Sequence, residues 1–368
     1  IVGIISIILF LFNGSLSFLI FFAKNTLSQN SLNAILTNTS FPSFGPYDGQ
    51  IISAFWNLNI YTNQRHLAIS YGLSLLIIYL FLKIKTGDKY LISKSIAIGI
   101  VLGASFILNM AVFLMTVIIL FCLFLFLKGR RKFIFIVLIL GMIIAIPQYL
   151  YTQSSESIFK ITINPGYLVT GLNVINFINY WVQNVGLHII LIPLGFLVAS
   201  KISKKILISF FSLFLIGNLF QFSPEIAANH KFFNYFMIIG IMFSSYSLVY
   251  LWKRKNFLKP FVVILFFFLI ISGIIDFFPI KNDDKITLSD YQTNRDALWI
   301  KNNTSPNSIF LNTSYLYNGA SIVGRKIFLG WPYFAWSQGY DTTKRDQEIK
   351  SFLSLKDIQK ICNFLNKN

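Results

Sequence analysis

Carboxylates are scarce in this 368-residue chain. Before residue 280 there are only Asp48, Asp88, Glu156, Glu225 and Asp276. A carboxylate held against an acceptor hydroxyl is the ordinary general base. Asp88 stands among lysines and reads as their counter-charge. The acids to weigh for catalysis are therefore Asp48, Glu225, Glu156 and Asp276, in that order. Isolated cations are the complementary signal. Arg65 and His66 open an apolar run, His230 and Lys231 follow Glu225 by five and six residues, and Arg325 and Arg345 frame Trp331, Tyr333, Phe334, Trp336 and Tyr340. A guanidinium gives forked hydrogen bonds to phosphate oxygens. An aromatic face such as those of Trp331 and Trp336 stacks on a sugar ring, or rests at a bilayer surface. The plainer alternatives are snorkelling of Arg65 to lipid headgroups and a merely polar loop around Glu225. Cys122 and Cys362 form no framework and no metal-ligand or redox spacing is present, so neither a metal nor another cofactor is expected.

These side chains must be positioned by helices in lipid. The composition is 55% hydrophobic and 12% charged, with mean hydropathy +0.66. That charge fraction is about half of what a soluble domain carries. Apolar runs predict a polytopic α-helical membrane protein with about nine transmembrane helices, over 1–23, 67–82, 95–109, 110–127, 133–150, 186–200, 206–222, 232–252 and 260–278. The stretch 95–127 would be ~50 Å long as one helix, against a hydrocarbon core of ~30 Å, so a hairpin near Leu108-Asn109 is expected.

The positive-inside rule supports that division. Four connections carry fifteen basic residues, in Lys83–Lys94, Lys128–Lys132, Lys201–Lys205 and Lys253–Lys259. With the hairpin counted as two spans, all four fall on one side. The net charge of +18 is thus explained by membrane topology, and no nucleic-acid partner is expected. The outer face then receives Lys24–His66, Tyr151–Gly186, the link Phe222–Lys231 and the C-terminus. In the first of these, Ile51–Trp56 is too short to cross and reads as an interfacial helix with Trp56 and Tyr61 at headgroup depth. Asn173, Asn176, Asn179 and Tyr180 give a second interfacial helix one polar stripe.

Two domains are expected, a multi-span domain over 1–279 with outer interfacial loops and a small extracytoplasmic α/β domain over 280–368. The latter carries 12 Lys/Arg and 8 Asp/Glu. Helices are predicted over 288–303, 342–353 and 355–365, with short strands over 308–311 and 326–329. The chain starts inside an apolar run without Met and ends on a helix with no strand after it. A fragment lacking its start and a closing strand is expected.

"NQRHLAISYG" (63–72), "PEIAANHKFFNY" (224–235) and "GRKIFLGWPYFAWSQG" (324–339) together resemble segments of bacterial membrane proteins in the GT-C glycosyltransferase superfamily, the dolichyl-phosphate-mannose mannosyltransferase-like group. The architecture of many spans, long outer loops and an outer C-terminal domain is similar across nearly the whole chain. The resemblance implies an integral protein of the bacterial cytoplasmic membrane with its C-terminus extracytoplasmic. It would move a sugar from a polyprenyl-phosphate carrier in the membrane lipid to an acceptor glycan, lipid or protein outside. It also implies a catalytic acid in the first outer loop, where this sequence offers only Asp48. The assignment carried forward has Asp48 or Glu225 as catalytic acid, and Arg65, His66, His230, Lys231, Arg325, Trp331, Trp336 and Arg345 as substrate and phosphate ligands. A lipid-linked-sugar transporter and a non-catalytic membrane scaffold are the alternatives.

Overall fold

The computed structural model describes residues 1–25, 30–43, 51–84, 87–152, 160–283, 292–312, 314, 315 and 317–367. Two compact units are present: residues 1–153, 162–221 and 226–283 form one, and 154–161, 222–225 and 284–368 the other.

The first unit is helical. Its helices are α1 (Val2–Leu11), α2 (Ser17–Lys24), α3 (Ser31–Leu36), α4 (Asn59–Asn63), α5 (Arg65–Lys83), α6 (Leu91–Ala104), α7 (Met110–Phe126), α8 (Arg131–Thr152), α9 (Val174–Val185), α10 (His188–Val198), α11 (Lys201–Leu219), α12 (His230–Arg254) and α13 (Lys259–Lys281). A single antiparallel pair, β1 (Thr162–Ile163) with β2 (Phe220–Gln221), ties the segment after α8 to the end of α11. The protein is a polytopic helical membrane protein with a small β element.

The expected nine spans are corrected. Among the described residues five helices are long and apolar enough to cross a membrane: 65–83, 128–152, 201–219, 226–254 and 256–281. The count is six if α9 and α10, bent by 86° at their junction, make one span. The predicted span 1–23 is interrupted, because Asn13-Gly14-Ser15 leaves the helix between α1 and α2. The helices α6 and α7 are separate, as the hairpin reading requires, with the Asn109 side chain accepting from the Val112 N–H to start α7. At 14 and 17 residues they extend ~21 and ~26 Å, short of the hydrocarbon thickness.

Packing follows from small residues. The helix α12 is the core of the unit; 89% of its apolar window is buried, and α1, α10 and α11 pack on it. Backbones approach closely where Gly195 of α10 meets Phe243 and Ser247 of α12, and the Ser247 Oγ donates to the Leu191 carbonyl at 2.6 Å. Gly99 and Gly103 of α6, four residues apart, face Leu140 and Ile144 of α8 in the small-xxx-small manner.

Contacts also bring basic connections together. Arg130 Nη1 donates to the Phe81 carbonyl at the end of α5 (3.0 Å), and Lys205 Nζ donates to the Phe126 carbonyl at the end of α7 (2.9 Å). Three of the four basic clusters therefore share one end of the unit. The starts of α5 and α12 lie at the other.

The second unit contains α14 (Arg295–Asn303), β3 (Ile309–Phe310), α15 (Gly319–Ile322), β4 (Lys326–Ile327), α16 (Pro332–Ser337), α17 (Thr343–Leu353) and α18 (Ile358–Lys367). The strands β3 and β4 pair in parallel, Ile309 opposite Lys326, with α15 crossing between them. The Asn294 side chain caps α14 and the Asn318 side chain caps α15. The predicted helix over 288–303 is observed from Arg295; residues 288–291 lie outside the described residues.

Candidate functional site

The cationic pairs singled out in the sequence sit at two helix starts. Gln64 leaves helical geometry (φ −112°, ψ 68°), so α4 ends and α5 begins on Arg65 and His66, both exposed. The helix α12 begins on His230 and Lys231, the first buried and the second half-buried. The Tyr71 hydroxyl, in the second turn of α5, donates to the Lys231 carbonyl at 2.6 Å and ties α5 to the start of α12. Tyr71 also stacks on Tyr235 of α12, with ring centroids 4.6 Å apart. His230 lies against the Phe55 ring at 4.7 Å, and its Nδ1 is 3.3 Å from Asn234 Nδ2.

No side chain among the described residues caps either helix. The ion pairs among those residues are Lys94–Asp88 and Lys350–Asp346, so no carboxylate neutralises Arg65 or Lys231 there. Two helix starts without a side-chain cap each carry partial positive charge, and one bears Arg65 and the other Lys231. The chemistry that suits this arrangement is binding of an anion with several oxygens.

In the second unit Glu225 is half-buried, and the Tyr333 hydroxyl donates to its carboxylate. Burial first, and then that carboxylate, hold the Tyr333 hydroxyl above its ordinary pKa, so it stays a donor at neutral pH. Around it are Trp331 (ring centroid 5.3 Å from Tyr333), Phe334 (5.0 Å from Trp331) and Trp336 (5.8 Å from Tyr333), all substantially exposed. An acid thus stands at the edge of an aromatic shelf.

The two framing arginines are engaged differently. Arg325 closes the end of α14, donating from Nε to Thr304 Oγ1 (3.0 Å) and from Nη2 to the carbonyls of Lys301 (2.9 Å) and Thr304 (3.1 Å). Arg345 donates from Nη1 to the Phe328 carbonyl (2.8 Å), and its guanidinium lies 5.3 Å from the Phe328 ring centre. Asp48 and Glu156 lie outside the described residues. Among the described residues no group of three or more His, Cys, Asp or Glu is placed to hold a metal.

A buried polar cluster in the first unit was missed by the sequence reading. Ile51–Trp56 is not an interfacial helix: a short 3-10 turn (Ser53–Phe55) carries Ile51, Ile52, Ala54 and Trp56 into the interior. Asn184 of α9 holds it, its Oδ1 accepting from the Ile52 N–H (3.0 Å) and from Trp56 Nε1–H (2.7 Å). Asn13, in the interruption between α1 and α2, donates to the Trp56 carbonyl at 2.6 Å, and Asn57 donates to Asp276 Oδ2 at 3.1 Å. The two helix interruptions also meet, since the Leu16 N–H donates to the Gln183 carbonyl at 2.8 Å and Gly186 (φ +61°) faces Gly14 and Leu16. The available signals were Asn13-Gly14-Ser15 inside an apolar run and Gly186 between two apolar segments.

The helix α9 exposes Val174, Ile175 and Ile178 opposite a buried Tyr180, Trp181 and Asn184. No protein-family model, curated protein or solved structure matches the chain.

Proposed function

We propose that this is a membrane glycosyltransferase of GT-C type, moving a sugar from a polyprenyl-phosphate carrier to an acceptor glycan, lipid or protein on the extracytoplasmic face of the bacterial cytoplasmic membrane. The observation that carries the reading is the link from Tyr71 of α5 to the Lys231 carbonyl at the start of α12, with Arg65 and Lys231 at the first turns of the two helices and neither in an ion pair among the described residues. In an inverting transfer the acceptor hydroxyl attacks the anomeric carbon, its proton passes to a carboxylate base, and the bond from that carbon to the phosphate oxygen breaks. Negative charge then accumulates on the departing polyprenyl phosphate, where fixed cations lower the barrier. Arg65 and Lys231 take that role, and His66 and His230 are further ligands through ring N–H groups. Glu225 or Asp48 is the base, Trp331 and Trp336 give faces on which a sugar stacks, and Arg325 and Arg345 supply further phosphate ligands.

The test is transfer of a labelled sugar from a polyprenyl-phosphate donor by the full-length protein in vesicles. If Glu225 is the base, Glu225→Gln lowers turnover by about 100-fold or more, within the usual range for a general base, and leaves donor binding intact. Equal loss of binding and turnover would remove Glu225 from that role. The compartment is checked separately. With Cys122 and Cys362 replaced by Ser, single cysteines at Ser43 and Ser337 are expected to react alike with an impermeant thiol reagent applied from outside. Opposite reactivity would end the proposed orientation.

A lipid-linked-sugar transporter is the second reading. The meeting of two interrupted helices beside a buried acid favours it, since interrupted spans commonly build transport sites.

A further inference from the structure

The basic end of the first unit holds an open cleft of about 410 Å³, lined by Phe126, Leu127, Lys128, Gly129, Arg130 and Lys205. The turn Lys128–Arg130, which joins α7 to α8, forms one wall, and Lys205 enters from the beginning of α11. Arg130 and Lys205 are half-buried, and their bonds to the Phe81 and Phe126 carbonyls fix both cations in place. Lys128 is exposed. Arg131, next in the chain, donates to the carbonyls of Phe124 (3.0 Å) and Leu125 (3.2 Å).

The plain account of these cations is closure of helix ends, since Arg130, Arg131 and Lys205 all donate to carbonyls in the last turns of α5 or α7. Charge shows that account to be incomplete. A helix C-terminus carries about −0.5 of an elementary charge, so the ends of α5 and α7 offset roughly one of the four cations. An excess of about three positive charges remains. Asp88 is the one acid within the four basic connections, and it is paired with Lys94 at 2.6 Å. Neither ion pair among the described residues involves a cation of the cleft.

The surroundings of the cleft decide which anion suits it. Cys122 Sγ lies 3.7 Å from Ser212 Oγ, so α7 and α11 run side by side away from it. Leu125 of α7 and Ile208 and Phe211 of α11, within about two turns of the lining residues, are exposed apolar side chains. A phosphate seated among Lys128, Arg130 and Lys205 therefore stands at the head of a surface that suits hydrocarbon. Basic pockets between membrane helices commonly take lipid headgroups in this way. An ordinary anionic phospholipid brings one negative charge to that excess, and a lipid with two phosphates brings a pair. We propose that the cleft binds the headgroup of a two-phosphate phospholipid, with its acyl chains along α7 and α11. The starts of α5 and α12 lie at the other end of the unit, so this site does not depend on the sugar-transfer reading.

The test is thermal unfolding of the full-length protein in phosphatidylcholine nanodiscs containing increasing cardiolipin, beside discs given the same negative charge as phosphatidylglycerol. Binding to the folded state predicts a saturable rise in unfolding temperature with cardiolipin, and a smaller one with phosphatidylglycerol. Lys128→Gln with Lys205→Gln is expected to need about tenfold more cardiolipin for half of the rise. Lys253→Gln with Lys259→Gln removes the same charge from the fourth basic connection and is expected to keep the response. Should the first pair not fold, Lys128→Gln alone, at an exposed position, is expected to shift the response in the same direction. Equal rises with the two lipids at matched charge would reduce the effect to diffuse attraction and overturn the proposal. Equal responses of the cleft variant and the Lys253/Lys259 variant would overturn it too. The same rise produced by inorganic pyrophosphate in pure phosphatidylcholine discs would give the cleft to a soluble diphosphate and exclude the lipid.

Discussion

Replacing Arg65 and Lys231 together by Ala is expected to lower sugar transfer by about 100- to 10,000-fold while the protein remains folded. A hydrogen bond to a charged group contributes about 1.5–3 kcal/mol, and two such losses combine to that range if they act separately. Separate action does not hold fully, because the Tyr71–Lys231 bond links α5 to α12. That bond uses the Lys231 carbonyl, so truncating the side chain leaves it in place. Arg65 is exposed, and its replacement opens no internal void. Arg65→Lys should recover only part of the loss, since an ammonium lacks the forked geometry. Donor binding measured beside turnover checks the assignment. Transfer unchanged by the double replacement would show that the phosphate is held elsewhere.

The second large effect concerns the seat of the first helix interruption. A methyl group on Gly273 of α13 would coincide with the carbonyl of Phe12, and one on Gly14 would run into Ser272 and the Gly273 nitrogen. Side chains can rotate out of such overlaps; backbone cannot. Gly273→Ala is therefore expected to cost about 3 kcal/mol or more, at the upper end for overpacking. Gly72 of α5 provides the contrast, because a methyl group added there would meet no atom within 4 Å. At that position the same change is expected to stabilise by up to about 1 kcal/mol through helix propensity. Unfolding followed by circular dichroism in nanodiscs separates the two. Equal behaviour of both variants would mean that α1 and α13 are not held as closely as the structure places them.

The contrast between these two glycines marks how far the sequence is readable. Long apolar runs disclosed the helices 65–83, 201–219 and 226–254, because lipid leaves the backbone no other way to satisfy itself. Length and charge together disclosed the break before Met110. The strands β3 and β4 were legible from short apolar runs between polar turns. Asn13 was not legible as an interruption, since a lone Asn in an apolar run is also tolerated within a helix. Trp56 reads as an interfacial aromatic until Asn184, 128 residues away, is found bound to its indole N–H. At the candidate site the scarcity of charge pointed to Arg65 and Lys231. The link between their helices runs through Tyr71, whose hydroxyl looks ordinary in a helix sequence.

The way Arg325 closes α14 bears on any attempt at transplanting the aromatic shelf. Its three hydrogen bonds fasten the segment before Trp331 to residues 301–304, so the placement of the shelf is inherited from a helix some twenty positions upstream. A graft of residues 324–345 onto another scaffold would carry the rings and leave their anchor behind. A graft beginning at Asn294, the cap of α14, would bring both.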